Sequence, residues 1–473
     1  MTLKSVVLVK PPNDLGPEHH SIFGLLLIAS HLRKHQISFL LVNGNIDQNW
    51  KRKLDALASP NCVVAISALT PEIPGGIDAS DIAKQHGATV IWGGKHAQLF
   101  HDVIAADKSV DYVCVGEGEE FIPDVIRTED TQSINNMCFQ DGEQFTHGPK
   151  HNLDINSIEC PAYDLIPANT PSPWLNRRRL QAESSRGCSY RCEFCEVPAL
   201  KNSTWRVKAP EKVVSDIEHG LNVTEATYVE FVDDNPFQHA YHMQGVANEI
   251  LKRKLRFEWC ANCRAEYLAI AHVDDDYLDL LYEAGLRSIS VGGESGSQHV
   301  LNILRKGIKK EHLLQAAQRV ANVHNGKMDA SMNFFFGTPG ETRADIVETI
   351  ELFDDIKTIF PRIRIGVNIY TPYPGTALAK GLWDEPATLR DWLDPKARHM
   401  FTDRFGGKHW QDNPEFYTQL AHYSGLLYSP PSFGKIGDLQ QFMRTHTPLH
   451  IRSYIVSEQV KRKAYRWLHA IKP

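Results

Sequence analysis

Three cysteines in one short segment constrain this chain more than any other feature. Cys188, Cys192 and Cys195 follow the spacing C-x3-C-x2-C. Three thiolates do not complete a structural zinc site, which takes four protein ligands. They can hold three irons of a [4Fe–4S] cube and leave the fourth iron open to a small chelating ligand. A zinc loop that borrows a fourth ligand, or unconnected core cysteines, are the alternatives that the spacing leaves open.

The segment around these cysteines resembles the cluster loop of the radical S-adenosylmethionine (radical SAM) enzymes. Phe194, just before the third cysteine, stands where that family usually has an aromatic residue. The resemblance implies that Cys188, Cys192 and Cys195 are the metal ligands, and that the amino and carboxylate groups of SAM chelate the fourth iron. It also implies an external one-electron reductant and the formation of a 5′-deoxyadenosyl radical.

Residues 1–150 predict a Rossmann-like, doubly wound parallel sheet. Apolar strand-like runs at 6–9, 39–42 and 62–67 alternate with helix-like segments such as 21–35. This alternation favours a parallel sheet with helices on both faces, in which ligands bind at the carboxyl ends of the strands. Glycine pairs fall at or near those ends, and glycine lets a backbone approach a ligand closely. Ordinary tight turns can explain any one of these pairs.

Taken together, these pieces resemble the cobalamin-binding domain that precedes many radical SAM cores, so cobalamin is an expected third cofactor. The Asp-x-His-x-x-Gly motif, whose histidine ligates cobalt in many cobalamin proteins, is absent, as it often is in this radical SAM subgroup. His96 is the histidine nearest to a predicted ligand-facing loop, where hydrogen bonding is the commoner role. A Rossmann-like module that has lost or reused its cobalamin site is the alternative. The resemblance implies that six residues line the corrin and its nucleotide tail: Ser67, Thr70, Gly93, Gly94, Gly116 and Gly118.

The remaining chain divides into three predicted regions. Residues 151–179 are rich in Pro, Asn and Asp and predict a linker. In residues 180–385, six strand-like runs alternate with helices and fit an open (β/α)6 partial TIM barrel of the radical SAM type. Function in barrels sits at the C-terminal ends of the strands, which is where the polar residues of this region fall. Residues 386–473 match no motif, and their aromatic spacing predicts a mainly helical C-terminal cap.

Two strand ends of this barrel resemble parts of the family's SAM site. Asp233 and Asp234 follow the second strand, where the family positions the amino group of SAM, although exposed aspartates in a turn have the same pattern. Arg264 ends the third strand and could pair with a carboxylate through its fork of donors. Cys260 and Cys263 have metal-ligand spacing, but buried small hydrophobic residues explain this pair better than a second cluster.

Three further residues complete the predicted cofactor site. Glu294, after the fourth strand, would accept hydrogen bonds from the ribose hydroxyls or hold a neighbouring cation. Ser295 belongs to the same family-like run and also has the character of an N-cap for the following helix. Gly337, after the fifth strand, would let the adenine approach the backbone closely.

The composition of the chain bears on its binding partners and its cellular compartment. A formal net charge of −6 over 473 residues gives no electrostatic footprint for nucleic acid. The N-terminus lacks the features of a signal peptide, and no apolar run reaches membrane-spanning length. Nine cysteines, with three of them in the cluster motif, suit a reducing compartment. We therefore expect a cytoplasmic protein.

These features predict a cobalamin-dependent radical SAM enzyme that methylates an unactivated carbon of a small-molecule or natural-product substrate, with no catalytic residue assigned beyond the cofactor ligands. Oxidation, cyclisation or rearrangement without methyl transfer is the main alternative. A methylthiotransferase should carry three cluster-ligand cysteines in its first domain, where this chain has only Cys62 and Cys114, with Cys138 near its edge. A non-catalytic cobalamin or cluster sensor would keep the fold without turnover.

Overall fold

A computed structural model describes residues 5–13, 21–128, 130–166, 171–172, 177–200, 204–270, 273–402, 408 and 410–428. The chain forms two compact units. The first contains the described residues of 1–186, 199–230 and 383–402, and the second contains those of 187–198, 231–382 and 403–473. The four-region division expected from the sequence stays a prediction.

The first unit is built on a seven-stranded sheet with the order β2-β1-β3-β4-β5-β6-β7. Strands β1 to β5 are parallel, whereas β6 and β7 add an antiparallel hairpin at one edge. Its elements in chain order are β1 (Ser5–Lys10), α1 (Phe23–Lys34), β2 (Phe39–Asn43), α2 (Trp50–Leu57), β3 (Cys62–Ser67), α3 (Ile73–Gln85), β4 (Thr89–Gly93), α4 (Lys95–Leu99), α5 (His101–Ala105), β5 (Tyr112–Cys114), α6 (Phe121–Arg127), β6 (Met137–Asp141) and β7 (Gln144–His147).

Alternate residues of the central strands enter two separate cores. Val7 and Val64 belong to one core, and Val6 and Val63 belong to the other. Because successive side chains of a strand point to opposite faces, both faces of this sheet are covered, as parallel sheets require. The carboxyl ends of β1, β3, β4 and β5 therefore meet at one edge of the sheet. This arrangement confirms the Rossmann-like sheet predicted from the sequence.

Strand and helix alternate again further along the chain. Six strands, β9 and β12 to β16, are separated by helices in the order predicted for a partial barrel. The elements from residue 171 onward are β8 (Pro171–Ser172), β9 (Arg177–Ala182), β10 (Ser185–Arg186), α7 (Glu196–Ala199), β11 (Arg206–Val207), α8 (Pro210–Thr224), β12 (Tyr228–Phe231), α9 (Ala240–Lys252), β13 (Glu258–Arg264), α10 (Ala265–Ala269), α11 (Asp275–Glu283), β14 (Leu286–Glu294), α12 (Gln298–Ile303), α13 (Lys310–Asn322), β15 (Asp329–Phe336), α14 (Arg343–Ile359), β16 (Arg364–Ile369), α15 (Pro395–Thr402) and α16 (Pro414–Tyr428).

In the second unit, β13 to β16 are parallel neighbours, so their carboxyl ends lie at one edge. The register between β14 and β15 shifts between Gly292 and Glu294, which marks a bulge at the end of β14. Helix α16 continues the helical character predicted for the C-terminal region, and the part of that prediction beyond residue 428 lies outside the described residues. Within the described chain, no helix combines the length and apolarity of a membrane span.

Candidate active site

The three-cysteine loop lies in the second unit, and its sulfurs accept hydrogen bonds from two other strand ends. Asn235, after β12, places its Nδ2 atom 3.5 Å from the sulfur of Cys188. Arg264, the last residue of β13, places Nη1 3.6 Å from the sulfur of Cys192. Donors aimed at sulfur favour thiolate over thiol, because a hydrogen bond to the charged form stabilises it. Burial outweighs this effect at Cys188 and raises the pKa of its thiol.

Burial raises the pKa of the Cys195 thiol to about 11, with Asp234 adding to the shift. A bound iron would offset this because metal ligation deprotonates a thiol.

Arg264 is held rigidly beside the loop. Its guanidinium carbon lies 3.5 Å from the centroid of the Tyr190 ring, and the guanidinium pairs with Glu266 and donates to the backbone carbonyl of Lys306. Burial opposes its charge, but Glu266 and the sulfur of Cys192 outweigh that effect and raise the pKa of Arg264. The carboxylate that the sequence led us to expect as its partner is thus Glu266 of the same chain.

The two aspartates after β12 occupy different environments. Asp233 is buried, whereas Asp234 is exposed on the side of the loop that holds Cys195. The next residue, Asn235, is the one that donates to Cys188. The sequence analysis missed Asn235, although it directly follows the two aspartates at a strand end. An ammonium ligand in this region would find Asp234 as its accessible acceptor.

Glu294 is positioned by the bulge at the end of β14. It adopts a left-handed backbone conformation with φ of 62°, and its carboxylate lies 2.9 Å from the Nζ atom of Lys306. A Cβ at Gly292 would come within 2.5 Å of that carboxylate, so a larger residue there would displace the Glu294 side chain. The cation that we expected Glu294 to hold is therefore present in the chain. Lys306 also lies 5.8 Å from the centroid of the Phe194 ring, beside the cysteine loop.

Ser295 has a packing role in the structure. Its hydroxyl contacts the Thr349 hydroxyl at 3.1 Å and accepts a hydrogen bond from the backbone of Ser297. Helix α12 begins at Gln298 with Ser297 as its N-cap, so the expectation that Ser295 caps this helix is wrong by two residues. The two intervening residues form a turn that packs on α14, where a Cβ at Gly296 would lie 2.6 Å from the Thr349 backbone. A role for Ser295 in cofactor binding stays a prediction.

Gly337 follows β15 and adopts a left-handed conformation with φ of 83°. A Cβ at this position would lie 1.8 Å from the Nε2 atom of Gln411, and Gln411 donates to the Gly337 carbonyl at 3.4 Å. The Gly337 N–H donates to Glu341 at 2.5 Å. Trp410 also donates to the Gly337 carbonyl at 3.5 Å. Trp410 and Gln411 lie in a stretch without a motif, so the sequence analysis did not single them out as site residues.

At the strand edge of the first unit, one of the predicted corrin-lining residues, Thr70, contacts His96. The Thr70 hydroxyl lies 3.1 Å from Nδ1 of His96. Ala68, the residue after Ser67, donates its backbone N–H to the carbonyl of Gly93. His96 itself is buried and packs its ring 4.7 Å from that of Trp392. Burial lowers the pKa of His96 to about 3, so the ring is neutral. Its Nε2 atom has no hydrogen-bond partner among the described residues.

Three of the four predicted corrin-lining glycines have a packing reason of their own. Gly94 has φ of 91°, and a Cβ there would lie 2.8 Å from the carbonyl of Ala68. Gly116 faces the side chain of Asn136, and Gly118 faces Ile28. Gly93 differs, because a Cβ there would meet only Cys114 at an ordinary 3.7 Å. The strand edge thus offers Ser67, Thr70 and Gly93 to a ligand, whereas His96 is buried beside Thr70.

The other cysteines do not form a second cluster site in the described chain. Cys260 and Cys263 are three residues apart on β13, so they face opposite sides of the strand, and they form no ligand group. Cys138 and Cys62 enter one core of the first unit, whereas Cys114 enters the core on the opposite face. The three first-domain cysteines that a methylthiotransferase would need for a cluster are thus kept apart by the sheet.

Comparison with known proteins agrees with this geometry. Residues 183–353 match the model of the radical SAM superfamily. The chain is 23% identical over 413 residues to an uncharacterized methyltransferase of Pyrococcus horikoshii, covering 80% of this chain and 83% of that protein.

Two solved structures share the fold. The radical SAM methyltransferase TsrM of Kitasatospora setae, with cobalamin and a [4Fe–4S] cluster bound, matches with a TM-score of 0.66 at 15% identity over 93% of this chain and 85% of that chain. The cobalamin-dependent radical SAM enzyme OxsB, with aqua-cobalamin and SAM bound, matches with a TM-score of 0.68 at 14% identity over 99% and 76%.

Residues 183–353 are therefore a radical SAM domain, and the chain shares the fold of TsrM and OxsB. The chain is an enzyme, and its radical SAM domain implies a [4Fe–4S] cluster and SAM as cofactors. The cysteine loop, with donors on two of its three sulfurs, lies inside the matched region.

Proposed function

We propose that this protein is a cobalamin-dependent radical SAM methyltransferase that acts on an unactivated carbon of a small molecule. The observation that carries the proposal is the loop of Cys188, Cys192 and Cys195, on which Asn235 and Arg264 converge with hydrogen bonds to sulfur. When bound, the cofactors supply one-electron cleavage of SAM and a transferable methyl group. We further propose a cytoplasmic setting and an external one-electron donor.

The chain's own part begins with holding the cluster. Cys188, Cys192 and Cys195 would ligate three irons, and the donors from Asn235 and Arg264 stabilise the negative charge on sulfur. Phe194 packs edge-to-face on Phe335 at 5.4 Å, which gives the loop an apolar flank. An apolar shell limits water near a metal site and so tunes its potential.

The neighbouring strand ends would hold SAM. Asp234 offers an accessible carboxylate to the SAM ammonium, and Glu294 keeps one carboxylate oxygen on Lys306 while its other oxygen can accept hydrogen bonds from ribose hydroxyls. The left-handed turn at Gly337 places a residue without a side chain at the edge of the sheet. Asp233 and Ser295 are buried behind these groups and would act by positioning them.

Cobalamin is supported by the first unit. Its sheet has the parallel order 2-1-3-4-5, whose strand ends bind ligands in doubly wound folds. Ser67, Thr70 and Gly93 stand at that edge, and the buried Nε2 of His96 is a donor or acceptor that lacks a partner in the described chain. Gly94, Gly116 and Gly118 would shape the loops rather than contact the ligand. TsrM and OxsB, which share this fold, were solved with cobalamin bound.

Methyl transfer is supported by the relatives. The Pyrococcus protein and TsrM are both named methyltransferases, and TsrM has also been solved with a tryptophan substrate. A net charge of −6 argues against a nucleic-acid substrate. The proposal therefore places the substrate among small molecules.

The test is anaerobic reconstitution of the full chain with iron and sulfide, with and without hydroxocobalamin. We expect iron–sulfur absorption in both samples and a retained corrin spectrum only in the second. Incubation with methyl-labelled SAM, a reductant and a small-molecule extract should then yield a labelled product, with S-adenosylhomocysteine and 5′-deoxyadenosine formed together. Formation of 5′-deoxyadenosine alone, without a labelled product, would reject the methyltransferase in favour of oxidation, cyclisation or rearrangement.

A matched pair of variants separates the cluster loop from other cysteines. Cys192→Ala should abolish the cluster absorption and all SAM cleavage, whereas Cys260→Ala should retain both. Loss of the cluster in both variants, or in neither, would contradict the assignment of the loop. No SAM cleavage by an intact, cluster-loaded wild type would favour a non-catalytic sensor.

A further inference from the structure

A second group of metal-binding side chains lies in the first unit, away from the cysteine loop. Helix α5 begins with His101 and Asp102, and it packs on the hairpin of β6 and β7. In that hairpin, Cys138 and His147 are direct cross-strand partners. Four side chains that can bind metal are thus brought together from three elements.

The ligand atoms of these side chains converge on one point. The nitrogen, carboxylate and sulfur atoms of His101, Asp102, Cys138 and His147 all lie within 4.8 Å of one another. Nδ1 of His101 and Nε2 of His147 lie 2.8 and 3.3 Å from the same Asp102 oxygen. The Cys138 sulfur lies 3.6 Å from that oxygen. Two imidazole nitrogens and one sulfur therefore contact the same carboxylate oxygen of Asp102.

We propose that His101, Asp102, Cys138 and His147 form a structural Zn²⁺ site that fastens α5 to the β6–β7 hairpin. Four protein ligands in a closed set are typical of structural zinc, and a thiolate, two imidazoles and a carboxylate are all ligands that zinc accepts. The mixture of one soft and three harder ligands suits zinc better than calcium or magnesium, which take only oxygen.

The charges of the ligand set would balance the ion. Zinc binding would release the thiol proton of the buried Cys138 and leave one thiolate, one carboxylate and two neutral imidazoles, whose two negative charges match the charge of Zn²⁺.

A similar-looking group elsewhere in the first unit shows the contrast. His31 and His35 both contact the carboxylate of Glu120. The remaining ring nitrogens are occupied, because Nε2 of His31 accepts from the backbone of Glu159 and Nδ1 of His35 accepts from Arg127. That group has three ligands and a complete hydrogen-bond network, so its geometry needs no ion.

A metal ion would stabilise the position of the β6–β7 hairpin, which has little apolar packing. Strand β7 is at the edge of the sheet, and three of its four residues are exposed, so little apolar surface holds it in place. His147 ends β7 and Cys138 lies on β6, so one ion would tie both strands of the hairpin to α5. The inference is independent of SAM chemistry, and its failure would leave the proposed function untouched.

The test uses the full chain, purified anaerobically and stripped of loosely bound metal. Elemental analysis should find about one zinc per chain in addition to the iron of the cluster. X-ray absorption at the zinc edge should show a first shell of one sulfur and three nitrogen or oxygen atoms. A shell with three sulfurs would mean that zinc sits in the loop of Cys188, Cys192 and Cys195, and would overturn the proposal.

Matched variants test the ligands. His147→Asn changes a half-exposed edge residue and should weaken Zn²⁺ binding by about tenfold or more, while iron content and circular dichroism stay unchanged. His86→Asn, which removes another exposed histidine that contacts a carboxylate, should leave zinc unchanged. Zinc affinity equal to wild type in His147→Asn, or failure of the metal-free wild type to take up one equivalent of added Zn²⁺, would overturn the site.

A triple variant with Cys188, Cys192 and Cys195 changed to alanine separates the two metal sites. It should lose its iron and keep its zinc. Loss of both metals from this variant while it remains folded would show that the zinc depends on the loop, against the proposal.

Discussion

The guanidinium of Arg264 donates a hydrogen bond to the sulfur of Cys192 across 3.6 Å while its flat face lies 3.5 Å from the centre of the Tyr190 ring. One side chain thus links the end of β13 to a cysteine of the proposed cluster loop. Hydrogen bonds and positive charge near the sulfurs raise the reduction potential of iron–sulfur clusters.

We predict that Arg264→Gln lowers the midpoint potential of the cluster, because it removes the positive charge beside Cys192. Arg264→Lys, which keeps the charge but loses the fork geometry, should give a smaller shift. A redox titration followed by electron paramagnetic resonance measures both. Arg287→Gln is the control, because Arg287 also lies over a tyrosine ring, that of Tyr282 at 4.2 Å, but near the start of β14 rather than at the end of β13. Equal shifts in the Arg264 and Arg287 variants would contradict the prediction.

The pair of Glu294 and Lys306 gives a second prediction. Both side chains are almost fully buried and lie 2.9 Å apart. Lys306→Met would leave the carboxylate without its cation and should lower the free energy of unfolding by about 3–5 kcal/mol. The double variant Glu294→Gln with Lys306→Met should lose less than the lysine variant alone. Urea unfolding of the wild type, the single variants Glu294→Gln and Lys306→Met and the double variant measures the coupling, and simple additivity of the two changes would show that the pair is not coupled.

Gly337 can be compared with Gly381, which has a similar φ of 78°. Alanine at either position should lower stability by about 1–2 kcal/mol, because the left-handed conformation disfavours a Cβ. Only at Gly337 would the new Cβ collide with a side chain, that of Gln411; at Gly381 nothing lies within 4 Å. We therefore expect Gly337→Ala alone to weaken SAM binding in equilibrium dialysis. A similar loss of SAM binding in Gly381→Ala would attribute the effect to general destabilisation.

Glu341 predicts a pH dependence of stability. Its Oε1 atom is buried without a hydrogen-bond partner in the described chain, and burial raises the pKa of this carboxyl to about 8. The folded protein therefore binds a proton that the unfolded chain, with its ordinary pKa near 4.5, releases. The contribution is fully present below pH 4.5 and is lost as the pH rises to 8, with a slope of at most about 1.4 kcal/mol per pH unit.

Unfolding of wild type and Glu341→Gln between pH 5 and pH 8 measures this effect, and the range lies inside the window set by the two pKa values. The wild type should lose stability relative to the glutamine variant as the pH rises. Glu348→Gln, an exposed position on α14, serves as the control and should follow the wild type. A constant difference between wild type and Glu341→Gln across the range would contradict the raised pKa.

Much of the architecture could be predicted because its signals are local. The cysteine spacing and the alternation of apolar strands with helices are visible in short windows, and the six strand-like runs of the predicted barrel correspond to β9 and β12 to β16. The sequence analysis did not predict the β6–β7 hairpin. Its signal was the two-residue loop of Gly142 and Glu143, in which Gly142 has φ of 64°, as Gly-X hairpin loops require.

Contacts between distant parts of the chain could not be predicted. Asn235 meets a sulfur 47 residues away, and Gln411 reaches a glycine carbonyl 74 residues away. Nothing in a local window tells which loop will fold over which strand end. The misplaced helix cap at Ser295 has the same origin, because its hydroxyl is drawn to Thr349, 54 residues away, rather than to the helix that follows it.

The bulge at the end of β14 makes chain length at that point as important as residue type. If one residue were removed at the register shift between Gly292 and Glu294, the side chains that follow would point to the opposite face of the sheet. The acidic group would then turn away from Lys306, and no replacement of a neighbouring side chain could restore it. Diverged members of this lineage should therefore vary freely in sequence on the outer helices while keeping the count of residues between β14 and α12 constant.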